Sequence, residues 1–213
     1  MRGNPLTAEF LGTCARLSAY EQCMASIAWH IAPVYFSHKP SALINLGKLE
    51  KLSEHGSLHC AEDSSGFFSN AEIKDVMLHM GSYYDNDLKF TIINGISSSI
   101  HLFCCYPERI RAICQDYEVR CFLENMGYKS FEPEDCIQRL RQRFRIDGSF
   151  PHEIGIFLGY PFEDVIAFIK NKGRNYLLNG YWKVYSNVTR AIEIFMEYDN
   201  ARKQMLQKWS LHK

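Results

Sequence analysis

Apolar residues at Leu17, Tyr20, Met24, Ile27 and Ile31 recur at three- and four-residue steps and predict a helix over about 17–31, stopped by Pro33. Residues 1–16 carry no such stripe and are expected to form a loosely held arm. Beyond Lys39-Pro40, the run Ala42-Leu43-Ile44-Asn45-Leu46 reads as a strand. The pattern is weakest over 47–68, where a short helix at 48–54 and a loop at Ser64-Ser65-Gly66 are expected. Ser69 and Glu72 are spaced as a capping box. They open a helix to about Tyr84, with Ile73, Val76, Met77 and Met80 inward.

Residues 88–106 read as a hairpin, with strands Lys89–Ile93 and Ser99–Tyr106 joined by the positive-φ pair Asn94-Gly95. The second strand is apolar on both faces, as a central strand covered on both sides should be. Helices follow. Pro107 opens one, and Gly127 closes another at 117–126. Pro133 opens a third at 133–145, Pro151 a short fourth ended by Gly159, and Pro161 a fifth ended near Gly173. Tyr176–Tyr185 holds one or two strands around Asn179-Gly180, and Asn187 caps a final helix to about Trp209. No repeat or low-complexity linker interrupts the chain. The expected fold is therefore α+β: one domain over 1–213, with a small mixed sheet of about four strands flanked by six or more helices.

Composition narrows the class. An apolar fraction of 46% with 14% aromatic residues suits a filled globular core. The 24 basic and 24 acidic residues cancel, so no global field draws in nucleic acid or anionic lipid. A mild asymmetry, −3 over residues 1–106 and +3 beyond, names no partner. The N-terminus lacks a signal-peptide apolar core, and no run approaches a membrane span. The eight cysteines are then expected to be reduced thiols in the cytoplasm.

Several residue groups could carry chemistry, and each has a plainer reading beside it. His30 lies at the margin of its helix's apolar stripe, where it either faces a cleft and titrates near neutrality or bonds a free carbonyl at the helix end. Lys39, held extended before Pro40, meets an anion or simply faces water. His152 and Glu153 follow Pro151 in a helix's first turn, where they could serve as an acid–base pair or as a surface histidine beside a dipole-balancing carboxylate. Tyr181, Lys183 and Tyr185 alternate on one strand face, able to stack a planar ligand or to border solvent, while Trp182 and Val184 point to the core. Residues 151–173 have helix-turn-helix spacing, but Glu163 and Asp164 would face phosphates. Arg139, Arg141, Arg143 and Arg145 flank the stripe Cys136, Ile137, Leu140 and Phe144 as snorkelling side chains do. No cysteine or histidine spacing reads as a metal site, and no phosphate-binding or nucleophile motif indicates a cofactor.

Three segments resemble the bacterial domain-of-unknown-function family 3793 (DUF3793), common in anaerobic Firmicutes. They are WHIAPVYFSHKPSALINL at 29–46, LFCCYPERI, and FPHEIGIFLGYPFEDVIAFIKNKG with NGYWKVY at 150–173 and 179–185. The resemblance implies no activity. Ile31 stands where the family usually has Cys after His30, so any nucleophile or metal ligand there would be missing from this chain.

The expectation that follows is a small-molecule-binding or enzyme-like domain favouring an anionic ligand. His30, His152 and Glu153 are its catalytic candidates, and Lys39, Tyr181, Lys183 and Tyr185 its binding candidates. In this picture the 181–185 strand returns beside Ala42–Leu46, bringing Lys183 towards Lys39, and the two histidines share one site. The rival is a non-catalytic module that binds a protein partner.

Overall fold

The computed structural model describes residues 5–15, 17–48, 70–94, 99–146 and 150–210. Its elements run α1 (Pro5–Cys14), α2 (Ala19–Phe36), β1 (Ser41–Lys48), α3 (Asn70–Tyr83), β2 (Lys89–Asn94), β3 (Ser99–Cys105) and α4 (Pro107–Ile113). They continue as α5 (Tyr117–Asn125), α6 (Pro133–Ile146), α7 (Ile154–Phe157), α8 (Phe162–Asn171), β4 (Leu178–Asn179), β5 (Lys183–Val184) and α9 (Val188–Ser210). The fold is α+β. Its strands fall into a three-stranded antiparallel sheet and a separate two-stranded hairpin rather than one mixed sheet. The residues divide into two units, Met1–Lys39 with Gly159–Lys213, and Pro40–Leu158.

In the first unit α2 packs along α9. Ser18 starts α2 through a reciprocal cap: its hydroxyl accepts the Glu21 N–H, and the Glu21 carboxylate accepts the Ser18 N–H. Pro33 does not stop this helix; it lies inside it. A proline there removes one backbone bond and costs about 3 kcal/mol. Ile27, Ile31 and Val34 around it are fully buried. Each such side chain contributes roughly 1.5–3 kcal/mol, so their burial outweighs the lost bond. Residues 5–14 are likewise a helix rather than a loose arm: Leu6 is buried, and Phe10 stacks on Trp29 with ring centroids 4.5 Å apart.

The β4–β5 hairpin sits on a core of Trp182, Val184, Ala191 and Tyr198. One buried carboxylate holds it there. Asp164, in the first turn of α8, accepts from the Trp182 indole N–H at 2.8 Å, from the Tyr185 and Ser186 N–H groups at 2.8 and 3.0 Å, and from the Ser186 hydroxyl at 3.0 Å. Asn187 caps α9 by accepting the Arg190 N–H.

In the second unit the sheet order is β1-β3-β2, so β3 is central, and Leu102, Phe103, Cys104 and Cys105 are buried on both its faces. The β5 strand pairs with β4, not with β1, so the expected return of Tyr181–Tyr185 beside Ala42–Leu46 is incorrect. Asn179-Gly180 instead turns the chain back on itself, so β5 takes β4 as its antiparallel partner. Ser41 donates its hydroxyl to the Phe157 carbonyl at 2.7 Å and ties β1 to α7. Gly127 and Gly159 end α5 and α7 at φ values of +83° and +78°, which a Cβ would resist. The expected helix at 48–54, the capping box at 69–72 and the turn at Asn94-Gly95 rest on positions outside the described residues.

Candidate functional site

The seven candidates fall in both units. His30, Lys39, Tyr181, Lys183 and Tyr185 belong to the first, His152 and Glu153 to the second.

In the first unit two cations, Lys39 just after α2 and Arg202 on α9, lie among aromatic rings. Lys39 is 7% exposed, and its Nζ stands 5.7 Å from the Tyr160 ring centre and 5.9 Å from that of Tyr198. The Arg202 guanidinium lies between the Trp29 and Tyr181 rings, at 4.6 and 4.7 Å. Both positions fit cation–π attraction. The Arg202 Nε–H is buried and has no hydrogen-bond partner among the described residues. Tyr181 donates to Asp199 Oδ1 at 2.8 Å, and Asp199 also faces Arg202. Phe195, Tyr198, Asp199 and Arg202 are spaced to share one face of α9, which is why they meet the hairpin and α2 together.

His30 belongs to this cluster. Burial of its ring lowers its pKa first, and the Arg202 and Lys39 cations lower it further, from 6.5 to about 4. Part of the residue remains exposed, so water still reaches it, and the two cations are the firmer cause. The imidazole is therefore neutral at pH 7, with a lone pair to accept a proton. Burial pushes the Tyr160 hydroxyl up to about 12, and those of Tyr181 and Tyr198 are raised mainly by burial too. All three stay protonated hydrogen-bond donors at neutral pH.

Lys183 lies elsewhere on the same unit. Its Nζ donates to the Gly173 carbonyl at 2.7 Å and stands over the Tyr176 ring at 4.9 Å, so it closes the end of α8 rather than joining Lys39. Tyr185 gives its backbone N–H to Asp164, while its hydroxyl is buried without a hydrogen-bond partner among the described residues.

In the second unit the adjacent pair diverges. His152 is exposed beside Phe150, whereas Glu153 is 2% exposed and ion-paired with the Arg143 Nε. Tyr128 donates to the same carboxylate at 3.4 Å, and burial, then the Glu153 charge, raises its pKa. Glu153 is thus engaged by a cation and a phenol, the arrangement of a buried structural pair. Arg143, expected as a solvated border residue, is its partner.

Sequence reasoning missed Arg202, Asp199, Tyr160 and Tyr198. One signal was available: Ala191, Tyr198, Ala201 and Met205 form the buried stripe of α9, and Arg202 sits one turn beyond Tyr198 at its edge. Among the described residues no group of three or more His, Cys, Asp or Glu could hold a metal ion. None of the described helices is long and apolar enough to cross a membrane.

Fold and cluster together define an α+β protein with a buried lysine and a half-buried arginine set among aromatic faces. The chain belongs to DUF3793, a family described as a protein of unknown function, whose match covers residues 27–213. No curated protein and no solved structure matches it.

Proposed function

We propose that this protein is a cytoplasmic bacterial domain that binds a small anionic molecule at the His30–Lys39–Arg202 cluster. The observation that carries the reading is the buried Arg202 Nε–H, which has no acceptor among the described residues. Lys39 brings a second cation to the same aromatic cluster. A buried donor left unpaired costs about 1–3 kcal/mol. A carboxylate or phosphate oxygen would relieve that cost and form a charge-assisted bond to the guanidinium. The Tyr160 and Tyr198 rings offer flanking apolar surface, and His30 can take a proton from the ligand or hydrogen-bond to it. Free thiols at all seven described cysteines support a reducing cytoplasm.

The alternative, a module that docks a protein, is favoured by Ile192 and Met196, which are exposed by 45% and 61% one turn apart on α9. Two side chains make less surface than an apolar docking patch of several hundred Å2, so the anion reading stands ahead.

Thermal unfolding with inorganic phosphate, a dicarboxylate and a neutral sugar tests it. An anion at a hundred times its dissociation constant stabilises by about 2.7 kcal/mol. For a chain of this size that raises Tm by about 5–10 °C. The sugar should do nothing, and Arg202→Gln should abolish the anion's shift. Equal shifts in the wild type and Arg202→Gln, or none with any anion, would contradict the proposal.

A further inference from the structure

Away from the anion cluster, the second unit brings two thiols together. Cys114 caps the C-terminus of α4, and Cys136 lies in the first turn of α6, 22 positions later. The two helices pack on each other, and the Sγ atoms stand 3.9 Å apart. A disulfide needs about 2.05 Å, so the sulfurs are about 1.9 Å from bonding distance. Both residues are buried, and α5 is the main element between them.

We propose that Cys114 and Cys136 are a reversible dithiol, closing to an intramolecular disulfide when the chain meets a two-electron oxidant of the peroxide class.

The two sulfurs are not equivalent. The hydrogen bond between the two sulfurs lowers the Cys114 pKa; burial opposes this, and the nearby Arg120 cation assists it. Cys136 is raised by the same hydrogen bond and by burial. Cys136 also gives its S–H to the Ser130 carbonyl at 3.5 Å, while Cys114 has the Arg120 cation near it, which fits Cys114 as the attacking thiolate and Cys136 as the resolving thiol. Cys105, pushed up to about 12 by burial and then by the Glu134 charge, serves as a comparison inside the same unit.

The step balances. The Cys114 thiol releases its proton, its thiolate attacks one peroxide oxygen, the O–O bond breaks, and the departing hydroxide takes that proton as water, leaving a sulfenic acid. Cys136 then gives up its proton and attacks the Cys114 sulfur. The S–S bond forms, the S–O bond breaks, and the departing hydroxide takes that proton as water. Two thiols are oxidised, one hydrogen peroxide is reduced, and two waters form. A thiol reductant reverses the product by exchange. The oxidised chain carries a covalent tie from the end of α4 to the start of α6, with α5 inside the closed loop.

Hydrogen peroxide is added to the folded full-length chain, remaining thiols are alkylated in denaturant, and the peptides are mapped. The expected result is a cross-linked pair of peptides holding Cys114 and Cys136, with an intact mass lower by about 2 Da from the two lost hydrogens. Dithiothreitol should restore both thiols, and Cys105 should remain alkylated throughout. In Cys136→Ser, oxidation should halt at a Cys114 sulfenic acid that dimedone traps. Recovery of both wild-type residues as alkylated thiols would overturn the proposal, as would a bond from either to a different cysteine. The wild-type map decides the matter whether or not the variant folds.

Discussion

The charge state of His30 reports on its surroundings more directly than any other single group. Burial of the ring and then the Arg202 and Lys39 cations lower the His30 pKa in the folded chain to about 4, while the unfolded chain takes up a proton near 6.5. The folded-state pKa is depressed. The stability this group contributes is therefore complete above about pH 6.5 and is lost as the pH falls from there through about 4. Lys39→Met removes one of the two cations and should raise the His30 pKa, read from the imidazole C–H resonance across a pH titration. An unchanged midpoint would mean that Lys39 does not act on His30. At this scale the sequence was partly legible. His30, Lys39 and Tyr181 were recognisable because polar residues beside prolines and in aromatic strands are unusual. Arg202 was hidden inside a long helix whose exposed face is also rich in charge, so only its register against Tyr198 distinguished it.

At the scale of elements, Asp164 decides where the β4–β5 hairpin sits. Its two oxygens accept from three residues of one short segment, and every donor is already committed. Asp164→Asn replaces one acceptor oxygen with an NH2 group that must face a donor, at a cost of about 1–3 kcal/mol. Tm should fall by roughly 2–12 °C. A variant as stable as the wild type would show that the hairpin is held by apolar packing alone. A Cβ at Gly180 would run into the Phe195 ring, so the same hairpin also depends on that close approach. Helix starts and stops marked by Pro107, Pro133, Gly127 and Gly159 were readable, since each imposes a local backbone constraint. Pro33 misled because its own constraint is local while the burial that overrides it is tertiary. Strand partnership was unreadable for the same reason: β5 is two residues long, and no pattern that short specifies which strand it joins.

For the whole molecule, a formal net charge of zero means that no global field draws in anions. Duplex DNA should bind no better than non-specifically and should be released by moderate salt. A nanomolar, sequence-selective complex would contradict the account. The first unit is assembled from both ends of the chain, and all groups of the proposed site lie within it. His152 and Glu153 belong to the second unit, where Glu153 is taken up by Arg143 and Tyr128.

The central claim is that an anion completes the His30–Lys39–Arg202 cluster, and a titration of the His30 imidazole with and without inorganic phosphate tests it most directly. A bound phosphate beside the ring favours the imidazolium. The account predicts that the His30 pKa rises from about 4 towards its ordinary 6.5 as phosphate saturates. By linkage, phosphate should then bind more tightly as the pH falls through that interval. A His30 titration curve that saturating phosphate leaves in place would contradict it.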